Sequence, residues 1–144
     1  MIEQDTIKLL RECDAGIKMG VSSIDEVLEY VSSNELKDEL MDCRAKHIRL
    51  RGEIEQALNK YHDEGKDPNP MAKSMSWIKT NVKLIVDESD ATIADLMTEG
   101  CNMGVKTLNK YLNKYKAADE NTKDIAKKLI KQEEDLTKGI CKFL

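Results

Sequence analysis

Histidine, cysteine and acidic side chains at helical spacing are the groups in this sequence that can bind a metal or transfer a proton. His47 follows Cys43 by four residues, so both side chains face the same side of a helix. Cys13 and Cys101 lie on similar apolar stripes, and Glu133 is an acid that a neighbouring helix can bring to His47. Imidazole and carboxylate ligands together suit iron, manganese or zinc.

Two interpretations of His47 are open. In the first it is a metal ligand or an acid–base group. In the second, which we expect, it is a neutral core histidine hydrogen-bonded to Gln132 or Glu133, because a buried polar group requires a partner. Arg44, three residues before His47, is expected to form a salt bridge with Glu133.

The spacing of the cysteines argues against a thiolate metal site or a disulfide. In an antiparallel hairpin Cys13 comes level with about residue 52, which is ~13 Å along the axis from Cys43. A disulfide needs Cα atoms within ~7 Å. We expect Cys13, Cys43 and Cys101 to be buried and reduced, and Cys141 to be the exposed thiol. The methionines are expected to be adaptable core filler.

A short internal repeat predicts the architecture. The segment Cys13–Lys18, CDAGIK, recurs as CNMGVK at Cys101–Lys106, 88 residues later. Each copy lies in a long amphipathic segment that is followed by a second one, which predicts two helical hairpins over about 4–64 and about 90–143. The first helix is expected over Gln4–Val31.

Two further signals refine this prediction. Met71, Met75, Ile78, Val82 and Ile85 predict a short crossover helix over about 71–86 that joins the hairpins. Asp90 is the expected N-cap of the helix that follows. The glycine pairs Gly16/Gly20 and Gly100/Gly104 predict close approach of helix backbones. The fold class is therefore an all-α four-helix bundle, expected as one domain over residues 1–144.

Composition narrows the functional classes. Charged residues make up 35% and aromatic residues 4% of the 144 residues, which suits long helices. The net charge of −4 argues against nucleic acid as a partner. No apolar stretch is long enough for a membrane span and the N-terminus has no signal-peptide character, so we expect a cytoplasmic protein with no membrane partner.

With these elements the chain resembles ferritin-like four-helix bundles. More narrowly, it is similar to an uncharacterised bacterial family known as domain of unknown function 2383. The resemblance rests on the order of elements and on four stretches: Leu9–Gly20, Asn34–Leu40, Trp77–Leu84 and Leu96–Tyr115. It covers nearly the whole chain, and it implies a ferritin-like bundle built from two duplicated hairpins.

The resemblance also implies where a dinuclear metal site would lie. Ferritin-like sites take one Glu from each of two helices and a Glu-x-x-His from each of the other two. The corresponding positions here are Ile17, Val105, Arg44-x-x-His47, and Glu133-x-x-Leu136 or, in another register, Gln132-x-x-Asp135. At most two ligands remain, so the resemblance implies a layer refilled with apolar and mismatched polar groups, and no dinuclear centre.

We therefore expect a non-enzymatic structural or interaction module without a cofactor, forming a homodimer because two-fold dimers dominate among oligomers. The expected contact surface is the apolar face of the crossover helix around Trp77 and Ile78. Two alternatives are a bundle that binds one metal ion through His47 and nearby acids such as Glu133, and a binder of a small apolar ligand in the vacated layer. The sequence has no catalytic motif, which lowers the expectation of an enzyme.

Overall fold

The structure is a computed structural model that describes residues 2–66 and 89–144. Within these ranges the regular secondary structure is helical, with no β-strand. Its elements are α1 (Ile2–Leu28), α2 (Asn34–Asn59), α3 (Asp90–Lys114), α4 (Glu120–Ile140) and a terminal 3₁₀ turn (Cys141–Phe143). The all-α prediction is thus confirmed for this part of the chain. The predicted crossover helix, about 71–86 with Trp77 and Ile78, lies outside the described residues.

Side-chain caps determine where three of the helices begin. Ser33, Ser89 and Asp119 each accept a hydrogen bond from the backbone N–H three residues later, which satisfies a donor that has no partner within the helix. The prediction of Asp90 as N-cap is wrong, because Ser89 caps α3. The Asp90 carboxylate instead accepts hydrogen bonds from the backbone N–H groups of Ser32 and Ser33, both at 2.9 Å.

α1 runs antiparallel to both α2 and α3. The short connection 29–33 forces this arrangement on α1 and α2. At the start of α1, Asp5 accepts a hydrogen bond at 3.1 Å from the backbone N–H of Ala117, which follows α3. At the other end of α1, Ser32 is bonded to Asp90 at the start of α3. Consequently α2 and α3 run in the same direction, and α4 runs antiparallel to both.

α1 ends three residues earlier than predicted. The predicted end was Val31, but the helix stops at Leu28, and Tyr30 donates its backbone N–H to the carbonyl of Val27 at 2.9 Å. This tightened last turn directs the chain into α2. Among the described helices, none is both long and apolar enough to cross a bilayer.

Two apolar clusters fill the bundle. One is built around Ile24, Leu40, Leu96 and Leu136 near the turn between α1 and α2. The other is built around Leu10, Ile54, Leu108 and Leu129 near the turn between α3 and α4. Both contain side chains from all four helices, so the clusters lie one above the other along the bundle.

Candidate functional site

A polar layer separates the two apolar clusters. Each helix contributes one residue to it, in chain order Gly20, His47, Gly104 and Glu133. On α2, Cys43 belongs to the first cluster and Leu50 to the second, and His47 lies between them. On α4, Glu133 lies between Leu129 and Leu136 in the same way. The sequence expectation that Ile17 lies at this level is wrong, because Ile17 belongs to the second cluster and Gly20 faces His47. On α3, Gly104 and not the expected Val105 faces Glu133.

His47 and Glu133 form a pair across this layer. His47 Nε2 lies 3.4 Å from Glu133 Oε1, and the two side chains are 1% and 12% exposed. On the other side of the ring, His47 Nδ1 lies 3.7 Å from the sulfur of Cys43. Both ring nitrogens of His47 therefore have partners, and of the two hydrogen-bond partners expected for His47, Gln132 and Glu133, the structure shows Glu133.

The predicted neutral state of His47 is wrong. Burial lowers the pKa of His47, but hydrogen bonds to Cys43 and Glu133 and the negative charge of Glu133 outweigh burial and raise it to about 10. A nearby carboxylate favours the charged form of an imidazole. At neutral pH the ring is thus an imidazolium, and each of its nitrogens donates a hydrogen bond.

Two other predicted partners of this pair lie elsewhere. Arg44 does not reach Glu133: its Nε donates to Asp25 on α1 at 2.6 Å, in a partly exposed ion pair. The amide of Gln132 donates to the backbone carbonyl of Lys46 at 3.4 Å and not to His47. Asp135, the acid of the second register, pairs with Lys131 on its own helix.

The glycines of α1 and α3 make room for the His47–Glu133 pair. A Cβ at Gly20 would lie 3.0 Å from His47 Cδ2, and one at Gly104 would lie 3.4 Å from Glu133 Cδ and Oε2. These nearest neighbours are side chains. The predicted contact between helix backbones is therefore not what these two glycines provide. Gly16 differs, because its Cβ would meet only Leu129 at an ordinary 3.8 Å.

A cavity of about 510 Å³ opens between α1 and α3 beside the polar layer. Its walls are made mainly of small residues and methionines, with α4 at its floor. The small residues are Ala15, Gly16, Gly20, Ser23, Gly100 and Gly104, and the methionines are Met19, Met97 and Met103. Glu133 and Leu129 line the floor. Met97 is buried in the first apolar cluster, as the sequence predicted for core filler, whereas Met103 and Met41 are exposed.

The charged end of this cavity is formed by residues that sequence reasoning missed. Lys66 Nζ lies 2.5 Å from Glu12 Oε1. Burial raises the pKa of Tyr111, and the charge of Glu12 and a hydrogen bond to it add to this effect. Glu12, Lys66 and Tyr111 all line the cavity. No sequence periodicity links these residues, because the contacts depend on where the chain after α2 returns to α1.

Asp14 on α1 fixes that return point. It is 2% exposed, forms an ion pair with Lys18 at 2.7 Å and accepts a hydrogen bond from the backbone N–H of Lys66 at 3.1 Å. Lys18 in turn donates to the carbonyl of Lys66 at 3.4 Å. Gly65, with φ of 89°, allows this close passage, since a Cβ there would overlap the Asp14 carboxylate. The i,i+4 spacing of Asp14 and Lys18 was the sequence signal for this pair.

The cysteines have the predicted exposure. Cys13, Cys43 and Cys101 are buried free thiols, and Cys141 is exposed. Burial, with the charges of Glu12 and Asp14, raises the pKa of Cys13 to about 12. Burial also raises the pKa of Cys101, and the nearby Glu133 carboxylate adds to this effect. Both thiols are therefore protonated and weakly reactive at neutral pH.

The polar layer contains a protonated His47 paired with the Glu133 carboxylate, beside the cavity. Within residues 2–66 and 89–144, no group of three or more His, Cys, Asp or Glu side chains is arranged to hold a metal ion. Cys43 and Glu133 approach His47 from opposite ring nitrogens, so they are not aimed at one common centre.

In comparisons with known proteins, no family model, no curated protein and no solved structure matches this chain.

Proposed function

We propose that this protein binds a small, mainly apolar molecule in the cavity between α1 and α3, and that it acts as a binding protein and not as an enzyme. The observation that carries the proposal is the cavity itself, with its volume of about 510 Å³. Pockets for small molecules typically measure about 300–1,000 Å³, are mostly apolar with a few polar groups, and occur between the helices of bundles.

The residues of the cavity wall support this proposal. Protein interiors are close-packed, so a space of this size in a small bundle needs an explanation. Glycine costs a helix about 1 kcal/mol relative to alanine. Gly16 has room for a Cβ beside Leu129, so packing alone does not require glycine there. Glycine at this position does keep the cavity wide.

The sequence also raised a metal site, a ferritin-like origin and association with a second copy or another protein. A mononuclear site for iron, manganese or zinc would require ligands that converge, and the two partners of His47 lie on opposite sides of its ring. A ferritin-like origin by duplication remains a proposal; the two antiparallel hairpins with α2 and α3 in the same direction are compatible with it. Homodimer formation and a protein partner also remain predictions.

Titration with the neutral fluorescent probe N-phenyl-1-naphthylamine tests the proposal. We expect saturable binding at one site per chain, with the blue-shifted emission of an apolar environment. Ala15→Phe, which places a large ring in the cavity wall, should weaken binding by roughly tenfold or more. Ala45→Phe is the matched control, because Ala45 is exposed on α2 and lies outside the cavity.

Two results would contradict the proposal: no saturable binding by the wild-type protein, or equal loss of binding in Ala15→Phe and Ala45→Phe. Circular dichroism of each variant shows whether the helices are intact. Elemental analysis of the same wild-type preparation tests the metal alternative, with His47→Ala as its control.

A further inference from the structure

We infer that this cavity selects uncharged molecules, and that the ion pair between Glu12 and Lys66 at its end enforces this selection. The inference rests on the proposed function and names the class of ligand. Among the described residues, the charged side chains that line the cavity are Glu12, Lys66 and Glu133. Each of the three has an oppositely charged partner within the protein, so none of them needs a counter-ion from a ligand.

The pair of Glu12 and Lys66 occupies one end of the cavity. Lys66 Nζ lies 2.5 Å from Glu12 Oε1, the distance of a strong charge-assisted hydrogen bond. Tyr111 also hydrogen-bonds Glu12. An anionic group placed here would compete with Glu12 for the ammonium of Lys66, and a cationic group would compete with Lys66 for the carboxylate of Glu12. Either group therefore loses its hydration without gaining an unopposed charge.

The pair of Glu133 and His47 neutralises the floor of the cavity. Glu133 Oε1 lies 3.4 Å from His47 Nε2, and Cys101 hydrogen-bonds the same carboxylate. The side chains of Glu133 and His47 are 12% and 1% exposed. A ligand does not readily separate such a pair, because removing one partner leaves the other buried charge without compensation.

The remaining wall of the cavity suits a neutral molecule. Its surface comes mainly from the methionines and small residues of α1 and α3, and its uncharged polar groups include the hydroxyls of Ser23 and Thr107. A hydroxyl can both donate and accept a hydrogen bond, so it can pair with an alcohol, a ketone or an ester. The ligand class is thus a small apolar molecule whose polar groups carry no charge.

Competition among four probes that share one body tests this selection. The neutral probes are 4-phenyl-1-butanol and methyl 4-phenylbutyrate, and the charged probes are 4-phenylbutylamine and 4-phenylbutyrate. Each is titrated against protein loaded with N-phenyl-1-naphthylamine at neutral pH. We expect each neutral probe to displace the fluorophore at a roughly tenfold lower concentration than either charged probe, because a charged group must leave water for a site whose charges are already paired.

Two variants distinguish the effect of the ion pair from that of an apolar wall alone. Lys66→Met leaves Glu12 without its counter-ion, so the amine should improve by roughly tenfold relative to the alcohol while the acid stays weak. Glu12→Gln leaves Lys66 unopposed and should instead improve the acid relative to the alcohol. The probes are compared within one variant, so any change in fluorophore affinity cancels.

Lys127→Met and Glu134→Gln are the matched controls. They remove the same charges from exposed positions of α4 outside the cavity, so both should keep the wild-type order of the four probes. Circular dichroism of each variant shows whether the helices are intact.

The outcomes separate this inference from the proposed function. Fluorophore binding with equal competition by neutral and charged probes overturns the inference but leaves the cavity as a binding site. The wild-type order of probes in both Lys66→Met and Glu12→Gln also overturns it. Failure of the fluorophore to bind overturns the proposed function and the inference with it. If one of the two variants does not fold, the other decides.

Discussion

His47 on α2 and Glu133 on α4 meet at 3.4 Å between the two apolar clusters of the bundle. The pair is almost fully buried, and glycines on α1 and α3 leave the space that it occupies. Removing one member of a buried pair leaves the other charge without compensation. Stability, protonation and the shape of the cavity are therefore linked through these two side chains.

Replacing His47 by Gln is expected to change how stability depends on pH. Because the pKa of His47 is raised from 6.5 to about 10 in the folded protein, the folded state holds this proton more tightly than the unfolded chain. The stabilisation is complete below about pH 6.5 and is lost as the pH rises toward about 10, with a slope of up to about 1.4 kcal/mol per pH unit. Urea unfolding measures this slope.

The useful window for this comparison is from about pH 6.5 to about pH 8.5. Above it, the buried thiol of Cys13, with its pKa raised to about 12, adds a pH dependence of its own. His62→Gln is the control, since His62 is exposed and this variant should keep the wild-type slope. Equal slopes for the wild type and His47→Gln would contradict the raised pKa of His47.

Alanine at Gly20 and at Gly52 should have opposite effects on stability. Gly52 lies on the exposed side of α2, and no other group lies within 4 Å of the position that a Cβ would occupy there, so Gly52→Ala should stabilise the protein by about 0.5–1 kcal/mol. Gly20→Ala would bring a Cβ within 3.0 Å of His47 and should destabilise it by about 1 kcal/mol. Thermal or urea unfolding of both variants measures the difference.

Gly16→Ala provides an internal check on this comparison. Its Cβ would make only an ordinary contact with Leu129, so its stability should resemble that of Gly52→Ala. If all three alanine variants were equally stable, the steric role assigned to Gly20 would be refuted.

Asp14→Ala is expected to lower the free energy of unfolding by about 1–3 kcal/mol. Asp14 is buried, and its removal takes an acceptor from the backbone N–H of Lys66 and from the ammonium of Lys18. Arg11→Ala is the control: its pair with Asp63 is long, at 3.8 Å, and about half of the arginine side chain is exposed, so its effect should stay below about 1 kcal/mol. Equal effects of the two changes would argue against the Asp14 anchor.

Thiol labelling should modify one cysteine in the folded protein and four in the unfolded chain. Cys141 is exposed, whereas Cys13, Cys43 and Cys101 are buried. Mass spectrometry after brief treatment with a maleimide at neutral pH counts the labels. Cys141→Ser should abolish rapid labelling of the folded protein; rapid labelling of Cys101 would show that the cavity admits the reagent to this thiol.

Several features of the fold could be predicted from the sequence because they depend on local spacing. Apolar residues three and four apart predict an amphipathic helix from neighbouring residues alone. The hairpin before residue 64 and the one after residue 90 follow from such stripes. Errors at the ends were small and had local causes, as when Ser89 caps α3 and leaves Asp90 to bind the turn before α2.

The candidate site was predicted only in part. Burial of His47 predicted a hydrogen-bond partner, either Gln132 or Glu133, and the structure shows Glu133. The pairing of Arg44 with Glu133 was wrong, because the long arginine side chain turns toward Asp25 on α1. The difference arises because a core position leaves a side chain few directions, whereas a partly exposed one can reach several acids.

The sequence by itself determined the helices, their apolar faces and the burial of three cysteines. These depend on helical periodicity and on the preference of apolar groups to leave water. Only the tertiary structure decided that Gly20 and Gly104 lie level with His47 and Glu133, and that a cavity opens beside them. The axial offset and rotation of packed helices depend on contacts between residues distant in sequence. A shift of three residues, about 4.5 Å along a helix, is enough to replace Ile17 by Gly20 opposite His47.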